Sequence, residues 1–455
     1  MNFFGTDGIR GQANIHPLTP EFSMRVVVAT AKVLSRHHKG TRDSNIVVIG
    51  SDTRRSSQML IYSTASAAMS MGYDVINLET VPTAGLSYLT KKVGAAFGVM
   101  ISASHNPFFD NGIKIFGPDG YKLCEDTEAE IEDELFNDDS ERPTGEKIGK
   151  IKKNNEFLVD PVSEYVEYVS SLIEKSHDGK KKLKIVFDGA NGAASPYIRK
   201  IFENRFNIEL IHCHPDGINI NFNCGSTHMD QLAKTVISSH ANLGVAFDGD
   251  SDRALFIDEH GNAIDGDHII AMLAIDMKQK DILKNNIVIT TVMSNLGFVR
   301  AMKENNINLI TTAVGDRNVL NEMIRRGGVI GGEQSGHVIL LDKNHTGDGL
   351  ITAVSVINLV KRSGKKLSEL AGCVQKYPQV LINIAVAKDK NLYKTDPEIV
   401  AEIKKSEEKF LNRGRILIRP SGTENLIRVM IEGESKSEIT STAERIAGVI
   451  KKNMS

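Results

Sequence analysis

The sequence predicts an α/β protein with three similar strand–helix-repeat domains carrying mixed sheets. A smaller C-terminal α+β domain completes it, and the four are expected around a central cleft. Three observations predict this. Short apolar runs alternate with helical stretches, and the series starts over twice. The third run of each copy breaks into an unusually polar loop: S-A-S-H-N-P, D-G-D-S-D-R and G-G-E-Q-S-G-H. At 455 residues the chain also exceeds what one hydrophobic core supports.

Taken in order, the opening F-G-T-D-G-I-R is polar and glycine-rich, a composition that frays unless anchored. Phe3, Phe4 and Ile9 can anchor it and leave Arg10 free to meet an anion. The first copy has strands at 46–50, 74–78 and 97–101, the second at 184–187, 208–212 and 243–247, and the third at 287–291, 308–312 and 328–330. Amphipathic stretches such as 21–35, 56–71 and 294–305 have helical spacing. After 359–363 the pattern changes to alternating strands at 380–386, 415–419 and 427–432, closed by a helix at 437–451. Charged or turn-rich stretches near 138–155 and 258–266 mark boundaries. The expected domains are 1–150, 151–258, 259–372 and 373–455.

Composition narrows the function. A net charge of −2, from 55 basic and 57 acidic residues, argues against nucleic acid or an acidic membrane as a general partner. No apolar run is long enough to span a bilayer and the N-terminus has no signal pattern, so the expected location is cytoplasmic. Cys124, Cys213, Cys224 and Cys373 are scattered. The wide Cys213–Cys224 spacing, with His212, His214 and His228 nearby, lacks the close pairs of a structural zinc site.

The polar loops carry the chemistry. Asp248, Asp250 and Asp252 alternate directly behind a buried run. Carboxylates so close repel by roughly 4 kcal/mol per pair at 4 Å in an effective dielectric of 20. A hard cation removes that penalty, and an all-oxygen set favours magnesium, one ion. Arg253 in place of a glycine, and a strand before the loop, exclude an EF-hand. Arg419–Asn425 with Arg428 can ring a phosphate through Ser421, Gly422, Thr423 and two guanidinium groups, although Ser-Gly turns are common. Glu333, Ser335 and His337 suit sugar hydroxyls, but that loop alone reads as easily as a helix cap. Ser104 lacks the G-x-S-x-G setting of a hydrolase. A phosphorylated Ser104 would need a countercation, which the aspartate loop can hold. Lys114 would serve as base if burial and nearby cations tuned it down, and His105 could share the proton work. One phosphoryl-carrying serine and a separate phosphate cradle point to transfer of phosphate within one molecule.

F-G-T-D-G-I-R-G, S-A-S-H-N-P with D-N-G-I-K-I-F, D-G-D-S-D-R, G-G-E-Q-S-G-H and R-P-S-G-T-E, in this order, resemble the α-D-phosphohexomutases. The resemblance implies a phosphoserine at Ser104 and magnesium ligands at Ser104, Asp248, Asp250 and Asp252. It implies sugar contacts at Arg253, Arg317, Glu333, Ser335 and His337, and proton transfer and phosphoryl stabilisation at Lys114 and Arg10. A phosphate site at Arg419, Ser421, Gly422, Thr423 and Arg428 follows from it too. It also implies a small-molecule sugar phosphate as substrate, a hexose or hexosamine 1,6-bisphosphate as activator and intermediate, and a possible homodimer. Gln334, V-M-S-N-L-G and V-G-D-R-N-V resemble the family's glucosamine branch, which feeds amino-sugar and cell-wall precursor synthesis; the phosphomannomutase/phosphoglucomutase branch is the alternative. Ser251 and Asn425 depart from the family's usual glycine and proline, the first expected to tighten its loop and the second to loosen the phosphate turn. From other classes, a metal-dependent phosphohydrolase or a non-catalytic sugar-phosphate sensor would use similar loops.

Overall fold

The first sheet contains β1 (Ile9–Gln12), β2 (Ile46–Ser51), β3 (Asp74–Thr80), β4 (Phe97–Ile101) and β5 (Asp110–Phe116), in the order β1-β5-β4-β2-β3. β2, β3 and β4 are parallel, β5 returns antiparallel to β4, and β1 pairs antiparallel with β5. Every residue of β4 (F-G-V-M-I) is buried, the apolar signature of a strand covered on both faces. Helices α1 (Pro20–His37), α2 (Ser57–Ser70), α3 (Thr83–Lys92) and α4 (Glu125–Glu134) belong to this region, and α5 (Pro161–Ser171) leads on to the second sheet. Val26, Leu60 and Ile131, from three of those helices, share one core with Val47, Val99 and Ile113 of the sheet. The computed structural model describes residues 3–5, 7–37, 44–137, 141–152, 160–175, 182–411, 413–420 and 425–454.

The second sheet repeats the plan. β6 (Lys184–Asp188), β7 (Asn207–Ile211) and β8 (Leu243–Phe247) are parallel, and β9 (Ala254–Ile257) and β10 (Ala263–Ile264) return antiparallel, with helices α6 (Ser195–Phe202) and α7 (Asp230–Ser238). Because β10 pairs with β9, this sheet runs to Ile264, beyond the boundary expected at 258. α8 (Gly266–Gln279) leads to the third sheet. There β11 (Ile287–Thr291) is followed by α9 (Leu296–Glu304), and β12 (Asn308–Thr312) by α10 (Asp316–Arg326). β13 (Ile330–Gly332) is parallel to β11, and β14 (Val338–Leu340) returns antiparallel to β13. α11 (Gly349–Ser363) and α12 (Leu367–Ala371) close this part. α11 starts on Asp348, whose side chain accepts from Ile351 N, and stops at Gly364 in the left-handed conformation.

The three sheets thus share one hairpin, in which a third parallel strand turns back through a polar loop into an antiparallel strand. The loops are 102–109, 248–253 and 333–337, the three that the sequence marks as chemically unusual.

The compact units are two: Met1–Val292 with Asn308–Gly372, and Met293–Ile307 with Cys373–Ser455. The second unit is an antiparallel sheet of β15 (Gln379–Ala385), β16 (Gly414–Pro420) and β17 (Leu426–Gly433), ordered β15-β17-β16, with α13 (Pro397–Phe410) and α14 (Lys436–Met454). Ile399, Phe410, Ile427, Val429, Ile439 and Ile446 form its core. By its contacts this unit also includes Met293–Ile307, and with it α9. Asn295 Nδ2 donates to Tyr377 O (3.0 Å) and Glu432 Oε1 (3.2 Å), and Leu296 N donates to Glu432 Oε2 (3.1 Å). Among the described residues, no helix is long and apolar enough to cross a membrane.

Candidate active site

Ser104 sits at the turn between β4 and β5 with φ +51°, a left-handed conformation unusual for a side chain other than glycine, asparagine or aspartate. Its surroundings over-determine that strain. Arg54, fully buried, donates from Nη2 to Ser104 O (2.9 Å) and Asn106 O (2.8 Å), and from Nη1 to Asp110 O (3.0 Å) and Pro107 O. Its Nε donates to Asp52 Oδ2 (2.8 Å), which also accepts from Ser102 Oγ (2.6 Å). Asn221 Nδ2 adds bonds to Ser104 O (2.9 Å) and Asn106 O (3.0 Å). A Cβ on Gly249 would lie 2.5 Å from Ser104 O, so only glycine lets the second loop approach this closely. Arg54, Asp52 and Asn221 escaped the sequence reading. The S-D-T-R ending of β2 was the available signal.

Ser104 Oγ donates to Asp248 Oδ2 (2.7 Å) and lies 3.3 Å from His105 Nδ1. Asp248, Asp250 and Asp252 are buried, and one oxygen from each lies within 4.8 Å of the others. Asp250 Oδ1 and Asp252 Oδ1 are buried with no hydrogen-bond partner. Two orphaned carboxylate oxygens facing a third are a donor set that fits a hard divalent cation such as magnesium. Burial, then the charges of Asp252 and Asp250, push the Asp248 carboxyl well above the usual range. Burial opposes ionisation of Asp252 too, but Lys114, His337 and Arg253 outweigh it and hold that carboxyl well below.

Ser251 adopts φ +63° inside this loop, which explains why a glycine is at home there. Its hydroxyl donates weakly to Asp248 O at 3.4 Å.

Lys114, the candidate base, lies among carboxylates. It is 1% exposed, with Nζ 2.8 Å from Asp250 Oδ2, 2.9 Å from Asp7 Oδ2 and 3.7 Å from Asp252 Oδ2. Burial would lower its pKa, yet Asp250, Asp7 and Asp252 together raise it above the ordinary value instead of tuning it down. Among these three carboxylates Lys114 is held in its charged form. His105 is the opposite case: burial, then the charges of Arg253 and Arg10, lower its pKa to about 4, so it is neutral at neutral pH. Arg10 reaches the site on β1 and pairs with Asp7; its Nε is buried without a partner. Asp7 also pairs with Lys122, which pairs in turn with Asp316. Asp7 lies inside F-G-T-D-G-I-R, where nothing local in the sequence marks it as a partner of two lysines.

The third loop meets the others from α10 and β14. His337 is 2% exposed; its Nε2 accepts from Gly347 N (3.2 Å), which leaves Nδ1–H facing Asp252 Oδ2 at 3.5 Å. So placed, the imidazole braces Asp252. Arg317 likewise forms a bidentate pair with Glu128 (2.6 and 2.8 Å), leaving Nε buried without a partner. Glu333 Oε1 accepts from Gly315 N (3.1 Å), and Ser335 Oγ is buried with no partner. Arg253 donates its backbone N–H to Asp248 Oδ1 (3.1 Å), and its Nε lies 3.8 Å from Asp252 Oδ1.

In the second unit, Arg419 and Arg428 stand directly opposite each other on β16 and β17. Like charges so placed repel, and burial together with Arg428 lowers the Arg419 pKa, an arrangement that an anion would relieve. Ser421, Gly422 and Thr423 lie outside the described residues. Asn425 ties the start of β17 to the end of β15, donating from Nδ2 to Val386 O (2.6 Å) and accepting at its carbonyl from Val386 N (3.1 Å); the phosphate turn it was expected to loosen lies outside the described residues.

Of the cysteines, Cys224 lies near Asp188 and His212. Asp188 caps the turn there, accepting from Ala190 N (2.9 Å), Gly225 N (3.0 Å) and His212 Nδ1 (2.9 Å). Burial raises the Cys213 and Cys224 thiols to about 11 and about 12.

Family models for phosphoglucomutase/phosphomannomutase match this chain along its length. α/β/α domain I covers residues 1–142, domain II 163–261, domain III 265–377 and the C-terminal domain 381–449. The chain belongs to this family. It is a phosphohexomutase, an isomerase of the α-D-phosphohexomutase group. It is 46% identical over 455 residues to a phosphoglucosamine mutase of Brevibacillus brevis, covering 99% of both chains. Identity is 47% over 456 residues with a phosphoglucosamine mutase of Thermoanaerobacter pseudethanolicus, again covering 99% of both. The fold is similar to that of a phosphoglucomutase/phosphomannomutase family protein from Burkholderia thailandensis (TM-score 0.82, 20% identity, covering 100% of this chain and 98% of that one). It is also similar to Aspergillus fumigatus N-acetylphosphoglucosamine mutase, solved with GlcNAc-6P and magnesium (TM-score 0.68, 18% identity, 99% and 96% covered).

Proposed function

We propose that this phosphohexomutase interconverts glucosamine 6-phosphate and glucosamine 1-phosphate through a phosphorylated Ser104 and a 1,6-bisphosphate intermediate. The observation that carries the reading is Ser104 Oγ, 2.7 Å from Asp248, in a strained and fully braced loop. Full-length relatives at 46–47% identity named phosphoglucosamine mutase support the choice of substrate.

Asp248, Asp250 and Asp252 would hold magnesium together with an oxygen of the group on Ser104; bound there, the ion offsets charge on the transferring phosphoryl group. The chain's own residues do the rest. In the first half-reaction the sugar C1 hydroxyl oxygen bonds to phosphorus as the bond to Ser104 Oγ breaks, and the hydroxyl proton leaves. Neutral His105, 3.3 Å from Ser104 Oγ, is the acceptor suited by charge state. Lys114 remains protonated and, with Arg10, presents positive charge to the phosphoryl oxygens. In the second half-reaction Ser104 Oγ takes the phosphoryl group from C6, and the C6 oxygen recovers a proton. Arg419 and Arg428 offer a position for the phosphate that is not in transfer.

The test is a ³¹P NMR time course with magnesium and a trace of glucose 1,6-bisphosphate, run on glucosamine 6-phosphate and glucose 6-phosphate in parallel. Glucosamine 1-phosphate should form much faster than glucose 1-phosphate, and Ser104→Ala should form neither. The reverse preference would move the substrate to hexoses. Accumulating inorganic phosphate without a 1-phosphate would make the protein a hydrolase, and no exchange with either sugar would leave only a binding protein.

A further inference from the structure

A basic cavity lies in the first unit at the opposite ends of the strands that carry the aspartate loop. It measures about 500 Å³ and is rimmed by Lys182, Arg205, Lys361, Lys365 and Lys366. Its one carboxylate, Glu259, is already occupied: it accepts from Ser368 Oγ (2.5 Å) and lies 3.2 Å from His260 Nε2. Arg205, Lys365 and Lys366 pair with no carboxylate among the described residues. Phe206, Ala241 and Val360 give the cavity an apolar floor, with Lys361 Nζ 6.0 Å from the centre of the Phe206 ring.

Such an assembly is not what solvated lysines produce by chance. The C-terminal end of α11 would attract Lys361, Lys365 and Lys366 through its dipole. It does not account for Lys182 before β6 or Arg205 after α6, which converge on the same space from another sheet. The chain as a whole carries −2, so five cations around one compensated carboxylate are a local excess that calls for an anion. Burial lowers the Lys361 pKa, against the opposing charge of Glu174, and Arg205 adds to the lowering.

We propose that this cavity is a binding site for a polyphosphate group, as in a nucleoside diphosphate or inorganic pyrophosphate. The volume suits a ligand of nucleotide size, the cations suit phosphate oxygens, and the floor suits an apolar face. The site is also wired to the chemistry. β8 runs from the cavity wall at His240–Asn242 directly into Asp248. α11, about 22 Å long by its 15 residues, begins where Gly349 N donates to Ser251 O (3.0 Å) in the aspartate loop and ends at the cavity. The proposal stands whichever sugar the enzyme uses.

Calorimetric titration tests it, with ADP and with pyrophosphate, each in the presence of saturating glucose 1,6-bisphosphate to fill the catalytic site. The expected result is one further site per chain. It should weaken by about tenfold in Arg205→Ala/Lys365→Ala/Lys366→Ala, whose basal mutase turnover is unchanged. Tighter binding of ADP than of pyrophosphate identifies a nucleotide, and equal binding identifies the polyphosphate alone. Absence of binding under bisphosphate, or equal binding by the triple variant, overturns the proposal.

Discussion

The loop at Ser104 and the loop at Glu333–His337 occupy the same place in two equivalent sheets, and they are built in contrasting ways. In the first, Arg54 and Asn221 hold the carbonyls of Ser104 and Asn106, and Ser102 Oγ accepts from Ser104 N at 2.9 Å. In the third, Ser335 Oγ is buried with nothing bonded to it, and Glu333 offers its carboxylate to a single backbone N–H. On the proposed function, the loop that would place the reacting atom is satisfied by protein, and the loop that would recognise the sugar keeps hydrogen-bonding capacity in reserve.

That contrast can be broken from either side. Arg54→Met should have the largest effect, because it leaves Asp52 buried without its cation and frees the loop carbonyls. A loss of about 3–5 kcal/mol in urea unfolding, with turnover falling at least as steeply as in any third-loop variant, is the expected outcome. A change under 1 kcal/mol would mean that the loop holds itself. Ser335→Ala should act in the opposite currency. Stability stays within about 0.5 kcal/mol or rises, while KM for the sugar phosphate increases by roughly tenfold. Unfolding and steady-state kinetics on one preparation separate the two. If Ser335→Ala destabilises the protein without touching KM, the reserve is structural after all.

The smallest effect sharpens the comparison by pH. Folded His105 stays neutral down to about 4, whereas an unfolded histidine protonates near 6.5. Between those values the unfolded state binds more protons, so stability falls as pH falls. His105→Gln removes this contribution. Its stability relative to the wild type should therefore rise between pH 7 and pH 5 in urea unfolding. A constant difference would mean that His105 is not held neutral.

How much of this could be read from the chain follows from what each feature depends on. The buried parallel strands show themselves as continuous apolar runs, and Asp248, Asp250 and Asp252 show themselves because alternate carboxylates behind a strand have few uses. β1 does not, since I-R-G-Q has no alternation; it is a strand only because Ile9 pairs with Ile113. Arg54 does not either, because its work is on carbonyls 50 or more residues away. The same holds for α9, whose helical period is plain but whose allegiance to the second unit rests on Asn295 and Glu432. The charge and reach of His337 and Lys114 do not show themselves either. Burial and neighbouring carboxylates decide those, and neither is local in sequence.

One hairpin, used three times, has a historical corollary. A lineage that carries three copies of a turn can alter one while the others keep working. On the proposed function, donor, cation holder and reader of the sugar would be separate inheritances, and a change of substrate need rewrite only the last. Divergence among relatives of this chain should therefore pool in 333–337 and its neighbours, while the segments around Ser104 and Asp248 drift slowly.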